Sequence, residues 1–383
     1  MRIAINGLFW GQEATGSGQY VQHLLPALQE LAPGNEYQLF TWRELSSDSP
    51  RSPSFVRPLR TPFSGWSANL DKLWFEQASF PRACRDAMVD VAHVPYWGSP
   101  LWPPLPTVVT IHDLIPLLLP HYRGSPLVRM YTRLVAASAR RASLIITDSL
   151  ASRADIVRCL RIPDDRIQVI YLAAAPSCHP VDDPDSLAAL RARYALPERY
   201  ILYLGGFDRR KNLQSLLRSY ASLLCMDADA PALVIAGRLP SVDTELFPNP
   251  RRMASRLGLE KRVIFIGWIP EAYKPALYSG ALFFAFLSLY EGFGLMPLEA
   301  MTCGIPVLAA RNSSLPEIVG EGGLLVDPSE PAEVARNMRT LLDDSTRQTL
   351  RENAIRQASR FGWQQTASQT LNAYAVAIAG STP

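Results

Sequence analysis

Residues 281–301 read ALFFAFLSLYEGFGLMPLEAM, and this stretch decides the fold that we predict. Its continuous apolar run, Ala281–Leu287, is typical of a parallel strand buried on both faces. Two glycines then lead into a helical pattern, and the free N–H groups and dipole of a helix N-terminus attract phosphate. Glu291 and Glu299 flank this turn, where a carboxylate is useful for binding hydroxyl groups. The alternative is that both are ordinary surface glutamates.

Similar strand patterns recur along the chain and alternate with helical stretches, which predicts βαβ units and parallel sheets. The predicted strands are Arg2–Asn6, Thr107–His112, Leu144–Thr147, Ile167–Tyr171, Tyr200–Gly205, Ala232–Ala236, Val263–Ile266, Ala281–Leu287, Pro306–Ala309 and Gly323–Val326. The proline-rich stretch between Leu172 and Pro197 divides them into two sets. We therefore predict two α/β domains with a cleft between them, at about residues 1–175 and 197–360. A second proline-rich stretch, Ser46–Pro62, predicts a long surface loop.

Composition excludes several classes of protein. The chain has 383 residues, of which 48% are hydrophobic, and this is too apolar for a disordered chain. No apolar run approaches the roughly 20 residues of a membrane-spanning helix. The net charge of +3, all of it in residues 1–180 (17 Lys/Arg against 14 Asp/Glu), is too small for a nucleic-acid-binding protein. The five cysteines are scattered and contain no C-x-x-C pair, which predicts neither a zinc site nor disulfides. The expected location is therefore the reducing cytoplasm.

In open α/β sheets, ligands bind beyond the carboxyl ends of the strands, so the residues that follow each predicted strand are the candidates for ligand contacts. In the first half, Gly16 and Gly18 precede a helix and can let a ligand approach the backbone closely. The alternative is a plain flexible turn. His112 and Asp113 follow another strand and can bind a polar ligand. Their alternative is a helix cap and a half-buried histidine.

In the second half, one strand is followed by Gly206, Arg210 and Lys211, a pattern that resembles a clamp for a polyphosphate. Cations in a buried cleft require an anion to neutralise them, and a polyphosphate would supply that charge. A solvated basic loop is the alternative. Gly237 follows the next strand and is a candidate for a phosphate or base contact. Ile269 lies in a loop whose backbone groups can bind a flat nucleobase. Asp227-Ala228-Asp229 has the form of a D-x-D metal-binding motif, but it follows a predicted helix rather than a strand, so we expect no metal. We also expect no cofactor.

Together these motifs resemble the retaining nucleotide-sugar glycosyltransferases of family 4, which have the GT-B fold of two Rossmann-like domains whose parallel sheets face each other across a cleft. The stretches that carry the resemblance are Glu291–Glu299, Thr15–Gly18, His112–Asp113, Arg210–Asn212 and Ser314–Glu317. The chain departs from the family in two places. Met296 precedes Pro297 where the family usually has proline directly, and Thr302 stands where alanine is frequent. Neither departure removes a polar contact.

The resemblance implies a role for each polar residue of the site. His112 would contact the donor sugar, while Arg210 and Lys211 would hold the pyrophosphate. Glu291 would bind hydroxyl groups of the donor sugar, and Glu299 those of the ribose. Negative charge develops on the leaving pyrophosphate, so a cationic clamp would stabilise the transition state. The resemblance also implies that the leaving phosphate accepts the acceptor's proton.

The resemblance further assigns the backbone of the site. Gly16 and Gly18 would shape a loop beside the donor phosphate and the acceptor. Phe293, Gly294 and Leu295 would supply backbone donors to phosphate and sugar. The N-terminal domain would bind the acceptor, the C-terminal domain the nucleotide sugar, and a final helix at 363–379 would cross back onto the N-terminal domain.

The version of the basic motif in this chain is most similar to that of family members that use GDP-mannose or a GDP-deoxyhexose such as GDP-rhamnose, with UDP-sugars as the alternative. The expected acceptor is a lipid-linked glycan of lipopolysaccharide O-antigen or exopolysaccharide synthesis. Arginines between Arg123 and Arg141, interleaved with apolar residues, predict an interfacial helix on the cytoplasmic face of the anionic inner membrane. A solvated helix face is the alternative.

Two other classes of protein stay open. A dinucleotide-dependent oxidoreductase needs a glycine fingerprint in its first βα turn, and Val21 stands where that fingerprint has glycine or alanine. An inactive glycosyltransferase-like partner protein would have no reason to keep both glutamates and both basic residues of the clamp.

Overall fold

The computed structural model describes residues 1–12, 15–42 and 56–380, which form two compact α/β units. The first unit contains Met1–Leu172 and Gly362–Pro383, and the second contains Ala173–Phe361. The C-terminal helix, Trp363–Ala379, thus belongs to the first unit. Each unit is built on its own parallel sheet, which confirms the predicted fold class.

The first unit has a seven-stranded parallel sheet within the described ranges, with strand order β3-β2-β1-β4-β5-β6-β7. Its strands are β1 Arg2–Asn6, β2 Glu36–Thr41, β3 Val56–Pro58, β4 Val91–Val94, β5 Thr107–Thr110, β6 Leu144–Thr147 and β7 Ile167–Val169. The order of the strands reverses between β1 and β4. Such a reversal leaves a crevice at the carboxyl ends of the two strands, which is where α/β sheets commonly bind ligands.

The helices of the first unit connect these strands. They are α1 Gly16–Leu31, α2 Ala68–Trp74, α3 Phe80–Asp86, α4 Ile115–Leu118, α5 Pro126–Ala139 and α6 Leu150–Leu160, with a π-helical turn Phe75–Ser79 and 3₁₀ turns Pro120–Tyr122 and Asp164–Arg166. The C-terminal helix packs against α1 and contacts β4, β5 and β6. Its Tyr374 hydroxyl lies 2.7 Å from His93 Nδ1 on β4, in a region with no solvent exposure.

The second unit has a six-stranded parallel sheet with strand order β10-β9-β8-β11-β12-β13, which reverses between β8 and β11. Its strands are β8 Tyr200–Leu204, β9 Ala232–Ala236, β10 Val263–Gly267, β11 Phe283–Phe286, β12 Val307–Ala310 and β13 Gly323–Val326. Its helices are α7 Pro184–Tyr194, α8 Leu213–Met226, α9 Pro250–Arg256, α10 Lys274–Ser279, α11 Leu295–Thr302, α12 Leu315–Val319, α13 Pro331–Thr340 and α14 Asp344–Ala358, with 3₁₀ turns Arg209–Lys211 and Glu271–Tyr273.

The ten predicted strands are present, with ends that differ by up to two residues, and three further strands escaped the sequence analysis. Glu36–Thr41 carries polar residues that mask its apolar pattern. His93 interrupts the apolar run of Val91–Val94, yet it is fully buried because both of its nitrogens find partners. Residues 46–55 of the predicted loop Ser46–Pro62 lie outside the described residues. In the described part, Val56–Pro58 is a strand rather than a loop.

Candidate active site

Two of the three consecutive basic residues after β8 converge on one carboxylate. Lys211 Nζ lies 2.7 Å from Glu291 Oε1, and a guanidinium nitrogen of Arg210 lies 2.8 Å from Glu291 Oε2. Arg209 is instead half exposed and pairs with Glu245. The basic loop is therefore divided: Arg210 and Lys211 form one buried cluster with Glu291, and Arg209 lies outside it.

The topology of the sheet explains why residues 80 positions apart meet here. Lys211 follows β8 and Glu291 follows β11, and these two parallel strands are neighbours at the reversal of the strand order. Arg210 also donates a 2.8 Å hydrogen bond to the carbonyl of Tyr290, which ties the two loops together. The Lys211 ammonium lies 4.9 Å from the centre of the Phe286 ring. The cluster thus occupies the usual ligand position of an α/β sheet.

The cluster has two cations and one carboxylate, and Asp208 adds a second carboxylate: its Oδ1 lies 3.5 Å from Arg210 Nε. Burial alone would raise the pKa of the Glu291 carboxyl, but the charges of Lys211 and Arg210 outweigh burial and hold that pKa below its usual value. Burial lowers the pKa of the Lys211 ammonium, and Glu291 opposes this effect. Buried cations require an anion; here Lys211 pairs with Glu291, and Arg210 pairs with both Glu291 and Asp208. A diphosphate that binds Arg210 and Lys211 must therefore compete with Glu291.

The N-terminus of α11 lies directly after this cluster. Gly294 precedes the helix with φ 118°, a backbone conformation that side-chain-bearing residues rarely adopt. No side chain caps the helix, so the backbone N–H groups of its first turn, beginning with Leu295, have no side-chain acceptor. An anion can take the place of such a cap.

The loop before α11 is held by two serines that were not singled out as site residues. The Glu291 amide donates to Ser313 Oγ over 3.0 Å. Ser314 Oγ is fully buried and lies 2.6 Å from the Phe293 carbonyl oxygen and 3.0 Å from that of Glu291. Both serines follow β12, so the rule applied to other strand ends would have found them.

Glu299 is not part of the Arg210–Lys211–Glu291 cluster. It is 3% exposed on α11, and its Oε2 accepts a 2.9 Å hydrogen bond from the hydroxyl of Tyr278. Lys274 Nζ lies 3.9 Å away and also pairs with Glu271. Burial raises the pKa of the Glu299 carboxyl, although Lys274 and Tyr278 oppose the rise. Sequence patterns gave no signal for Lys274 and Tyr278, because they lie inside a helix rather than at a strand end.

The other residues of this unit that were predicted to bind the nucleotide sugar follow three neighbouring strands, β8, β9 and β10. The carbonyl of Gly206 accepts a hydrogen bond from the Tyr203 hydroxyl. The Gly237 amide donates over 2.8 Å to the carbonyl of Gly267 and is therefore already bonded. Ile269 is 4% exposed and belongs to the core, whereas its neighbour Trp268 is 55% exposed.

In the first unit, Gly16 and Gly18 begin α1. Thr15 caps this helix by accepting a 3.1 Å hydrogen bond from the Gly18 amide. A Cβ atom on Gly18 would lie 2.2 Å from the carbonyl oxygen of Gln12, so any larger residue would disrupt this turn. Gly16 is exposed and has no such contact. The requirement for glycine at position 18 is therefore steric.

His112 lies just beyond β5 and pairs with a residue that the sequence analysis missed. Its Nδ1 lies 2.6 Å from Oδ2 of Asp148, which follows β6 directly. Its Nε2 lies 3.2 Å from the carbonyl oxygen of Pro95. Asp113 instead accepts a 3.0 Å hydrogen bond from the Ile115 amide, as the capping alternative predicts. Asp148 occupies the same kind of position after a strand as the other candidates.

Two negative observations concern the described residues alone. Within residues 1–12, 15–42 and 56–380, no group of three or more His, Cys, Asp or Glu side chains is arranged to hold a metal ion. In the same ranges, no helix is both long and apolar enough to cross a membrane.

Both halves of the chain match families of known proteins. Residues 14–175 match the family described as Glycosyltransferase Family 4, and residues 190–360 match Glycosyl transferases group 1. O-antigen chain mannosyltransferase B of Escherichia coli is 34% identical over 268 residues, which cover 70% of this chain and 69% of that protein. The chain belongs to glycosyltransferase family 4. Its GT-B fold class and its identification as a glycosyltransferase are thereby confirmed.

Other relatives of this glycosyltransferase carry different names. Serotype-specific mannosyltransferase WbdA of E. coli is 31% identical over 275 residues, or 71% of this chain, which spans only 33% of that longer protein. D-inositol 3-phosphate glycosyltransferase of Corynebacterium glutamicum is 30% identical over 76% of this chain and 73% of its own. Among solved structures, sucrose-phosphate synthase of Thermosynechococcus elongatus superposes with a TM-score of 0.78 over the full length of both chains at 25% identity.

Proposed function

We propose that this glycosyltransferase transfers a mannosyl or related deoxyhexosyl group, with retention, from a GDP-sugar to a lipid-linked glycan in O-antigen or exopolysaccharide synthesis. The observation that carries the proposal is the buried Arg210–Lys211–Glu291 cluster beside the N-terminus of α11. Two cations and an uncapped helix end suit a diphosphate, and a carboxylate beside them suits sugar hydroxyls. Similarity to an O-antigen mannosyltransferase supports the choice of sugar and acceptor.

The cluster suggests an exchange of partners when the donor binds. The diphosphate takes the place of the Glu291 carboxylate at Lys211 and Arg210. Glu291, released from the two cations, then accepts hydrogen bonds from hydroxyl groups of the donor sugar. The bond between the anomeric carbon and the phosphate oxygen breaks, its electron pair stays on that oxygen, and the two cations stabilise the charge that develops there. Loss of one such contact costs about 3 kcal/mol of barrier by analogy with oxyanion donors. The acceptor hydroxyl oxygen forms the new bond to the anomeric carbon, and its proton passes to the leaving phosphate.

The exposed face of α5 supports a contact with the membrane. Leu127 is 73% exposed and Met130 is 63% exposed, and Arg129 and Arg133 are exposed on the same helix. No acidic residue interrupts this helix. Apolar side chains flanked by arginines are typical of helices that lie on anionic lipid. We include peripheral binding to the cytoplasmic face of the inner membrane in the proposal.

The central experiment measures transfer from GDP-mannose, GDP-rhamnose and UDP-glucose to a lipid-linked glycan, with the anomeric configuration of the product read by NMR. We expect transfer from a GDP-sugar and retained configuration. Arg210→Ala should lower kcat about 100-fold or more. Arg209→Ala is the matched control, because Arg209 is the adjacent arginine outside the cluster. Equal losses in the two variants, or transfer from UDP-glucose alone, would contradict the proposal.

The membrane contact has its own test, which is binding to vesicles that contain anionic phospholipid. Arg129→Glu with Arg133→Glu should abolish binding, and binding by the unchanged protein should weaken as the salt concentration rises. Arg336→Glu with Arg339→Glu makes the same charge change on exposed positions of α13 and should bind as before. Vesicle binding that survives the α5 substitutions would reject this part of the proposal.

A further inference from the structure

The two ring nitrogens of His112 both face atoms that can only accept a hydrogen bond. Nδ1 lies 2.6 Å from a carboxylate oxygen of Asp148, and Nε2 lies 3.2 Å from the carbonyl oxygen of Pro95. A neutral imidazole has one donor and one acceptor nitrogen, so it satisfies just one of these contacts. The doubly protonated, cationic ring satisfies both. The geometry of the pair therefore selects the imidazolium form of His112.

Burial strengthens this selection. Asp148 is 1% exposed, so its carboxylate is largely removed from water, and a buried carboxylate requires a cationic or hydrogen-bonding partner. The side chain of His112 remains 20% exposed. The ring thus neutralises Asp148 while its side chain is not fully enclosed by the protein.

The backbone around the pair is tied together. Thr147 Oγ1 donates a 2.7 Å hydrogen bond to the carbonyl of Ile111, which precedes His112. Ser152 Oγ donates over 3.1 Å to the carbonyl of His112 itself. These contacts join the end of β5 to the end of β6 and to α6, so the distance between His112 and Asp148 is set by the sheet and not by a mobile loop.

The other ionisable groups near His112 are consistent with a cationic ring. Burial would lower the pKa of His112, but Asp148 first and Asp113 second outweigh it, and the pKa is raised above its usual value. His93 on β4 is neutral, because burial lowers its pKa to about 3. The ring of Tyr20 on α1 meets His112 edge to face, with ring centres 5.0 Å apart.

We infer that Asp148 is a positioning residue of the transfer reaction, which keeps His112 doubly protonated and fixes its ring so that Nε2–H can donate to an oxygen of the sugar nucleotide. The inference rests on the proposed function, in which His112 contacts the donor. Nε2 makes the longer of the two hydrogen bonds, so its proton is the one for which a substrate oxygen can compete. Asp148 itself touches no substrate in this scheme and acts through His112.

The test replaces Asp148 with asparagine, which keeps the size of the side chain and removes its charge. In the unchanged protein, His112 is protonated below its raised pKa, and activity should fall as the pH increases through that value. In Asp148→Asn, the pKa of His112 measured by ¹⁵N NMR should decrease, and the alkaline limb of the kcat profile should move to lower pH with it. At alkaline pH, kcat should fall about tenfold or more, with little change in the KM for the donor.

Three further measurements keep the inference falsifiable. In the double variant Asp148→Asn/His112→Gln, the losses should not add, because Asp148 acts through His112. Asp164→Asn is the control: Asp164 pairs with Arg153 on the surface of the same unit and should leave the pKa of His112 unchanged. Asp148→Glu keeps the charge and should retain part of the raised pKa if Asp148→Asn fails to fold.

The NMR titration separates failure of this inference from failure of the proposed function, because it requires no transfer reaction. An unchanged pKa of His112 in Asp148→Asn, or additive losses in the double variant, would overturn the positioning role. A lowered pKa together with no transfer to any acceptor would retain the charge pair but contradict its role in transfer.

Discussion

The clearest stability prediction concerns Glu76, a carboxylate buried in the first unit. Glu76 has no solvent exposure in the π-helical turn after α2, and its two oxygens lie 2.8 Å and 2.9 Å from the hydroxyl of Tyr131. The ammonium of Lys72 lies on the same helical stretch, with Nζ 3.8 Å from Glu76 Oε1. Burial raises the pKa of Glu76 from 4.5 to about 7, although Lys72 and Tyr131 oppose the rise. The ionised form is therefore unfavourable in the folded chain.

The magnitude follows from the difference between the folded and unfolded pKa values. The raised pKa means that the contribution of Glu76 to stability is complete below about pH 4.5 and is lost as the pH rises to about 7. At about 1.4 kcal/mol for each pH unit, the total loss is about 3 kcal/mol. Glu76→Gln cannot ionise, so its free energy of unfolding should lack this loss.

The assay is urea unfolding of both proteins at about pH 5 and about pH 8, followed by tryptophan fluorescence. Seven of the eight tryptophans lie in the first unit, so the signal reports chiefly on the unit that contains Glu76. Between these pH values, the unchanged protein should lose about 2–3 kcal/mol relative to Glu76→Gln. Lys72 keeps its contact with the ring of Tyr131 at 4.7 Å, so the loss of its partner should cost little.

Glu36→Gln is the control for the effect of pH, because Glu36 is an exposed glutamate of the same unit. Its stability should follow that of the unchanged protein at both pH values. If the curve for Glu76→Gln also ran parallel to that of the unchanged protein, Glu76 would be ionised in the folded state with an ordinary pKa. The burial argument would then be refuted.

Three other substitutions test the site. Glu291→Gln frees Lys211 from its counter-ion, so the affinity for GDP, measured by calorimetry, should rise about tenfold while kcat falls. An unchanged affinity would show that Glu291 does not compete with the diphosphate. Tyr278→Phe removes the hydroxyl that donates to Glu299, so it should raise the KM for the donor more than it lowers kcat. A loss confined to kcat would contradict the binding of ribose by Glu299. Gly18→Ala should lower Tm, because its Cβ would meet a backbone oxygen at 2.2 Å; normal stability would show that the turn can rearrange.

The sequence by itself determined the α/β class and indicated Arg210, Lys211 and Glu291 as site candidates, because each follows a predicted strand. Strands buried on both faces leave continuous apolar runs, and helices between them force a parallel sheet. Ligands of α/β sheets bind beyond the carboxyl ends of the strands, which made the residues after each strand the candidates. The structure adds that β8 and β11 are neighbours, and this brings Arg210, Lys211 and Glu291 together. The same rule extends to Asp148, Ser313 and Ser314, each of which follows a strand directly or within a few residues.

Tertiary structure alone decided which charges pair. Local sequence does not indicate that Glu291 neutralises Lys211, that Glu299 bonds Tyr278, or that Glu76 meets a tyrosine 55 positions away. Nor does it indicate that His93 is a satisfied core residue, since its partner Tyr374 lies 281 positions further along. Hydrophobic periodicity is a local property of the chain, whereas the partner of a buried charge depends on which distant elements the packing brings within about 3 Å of it.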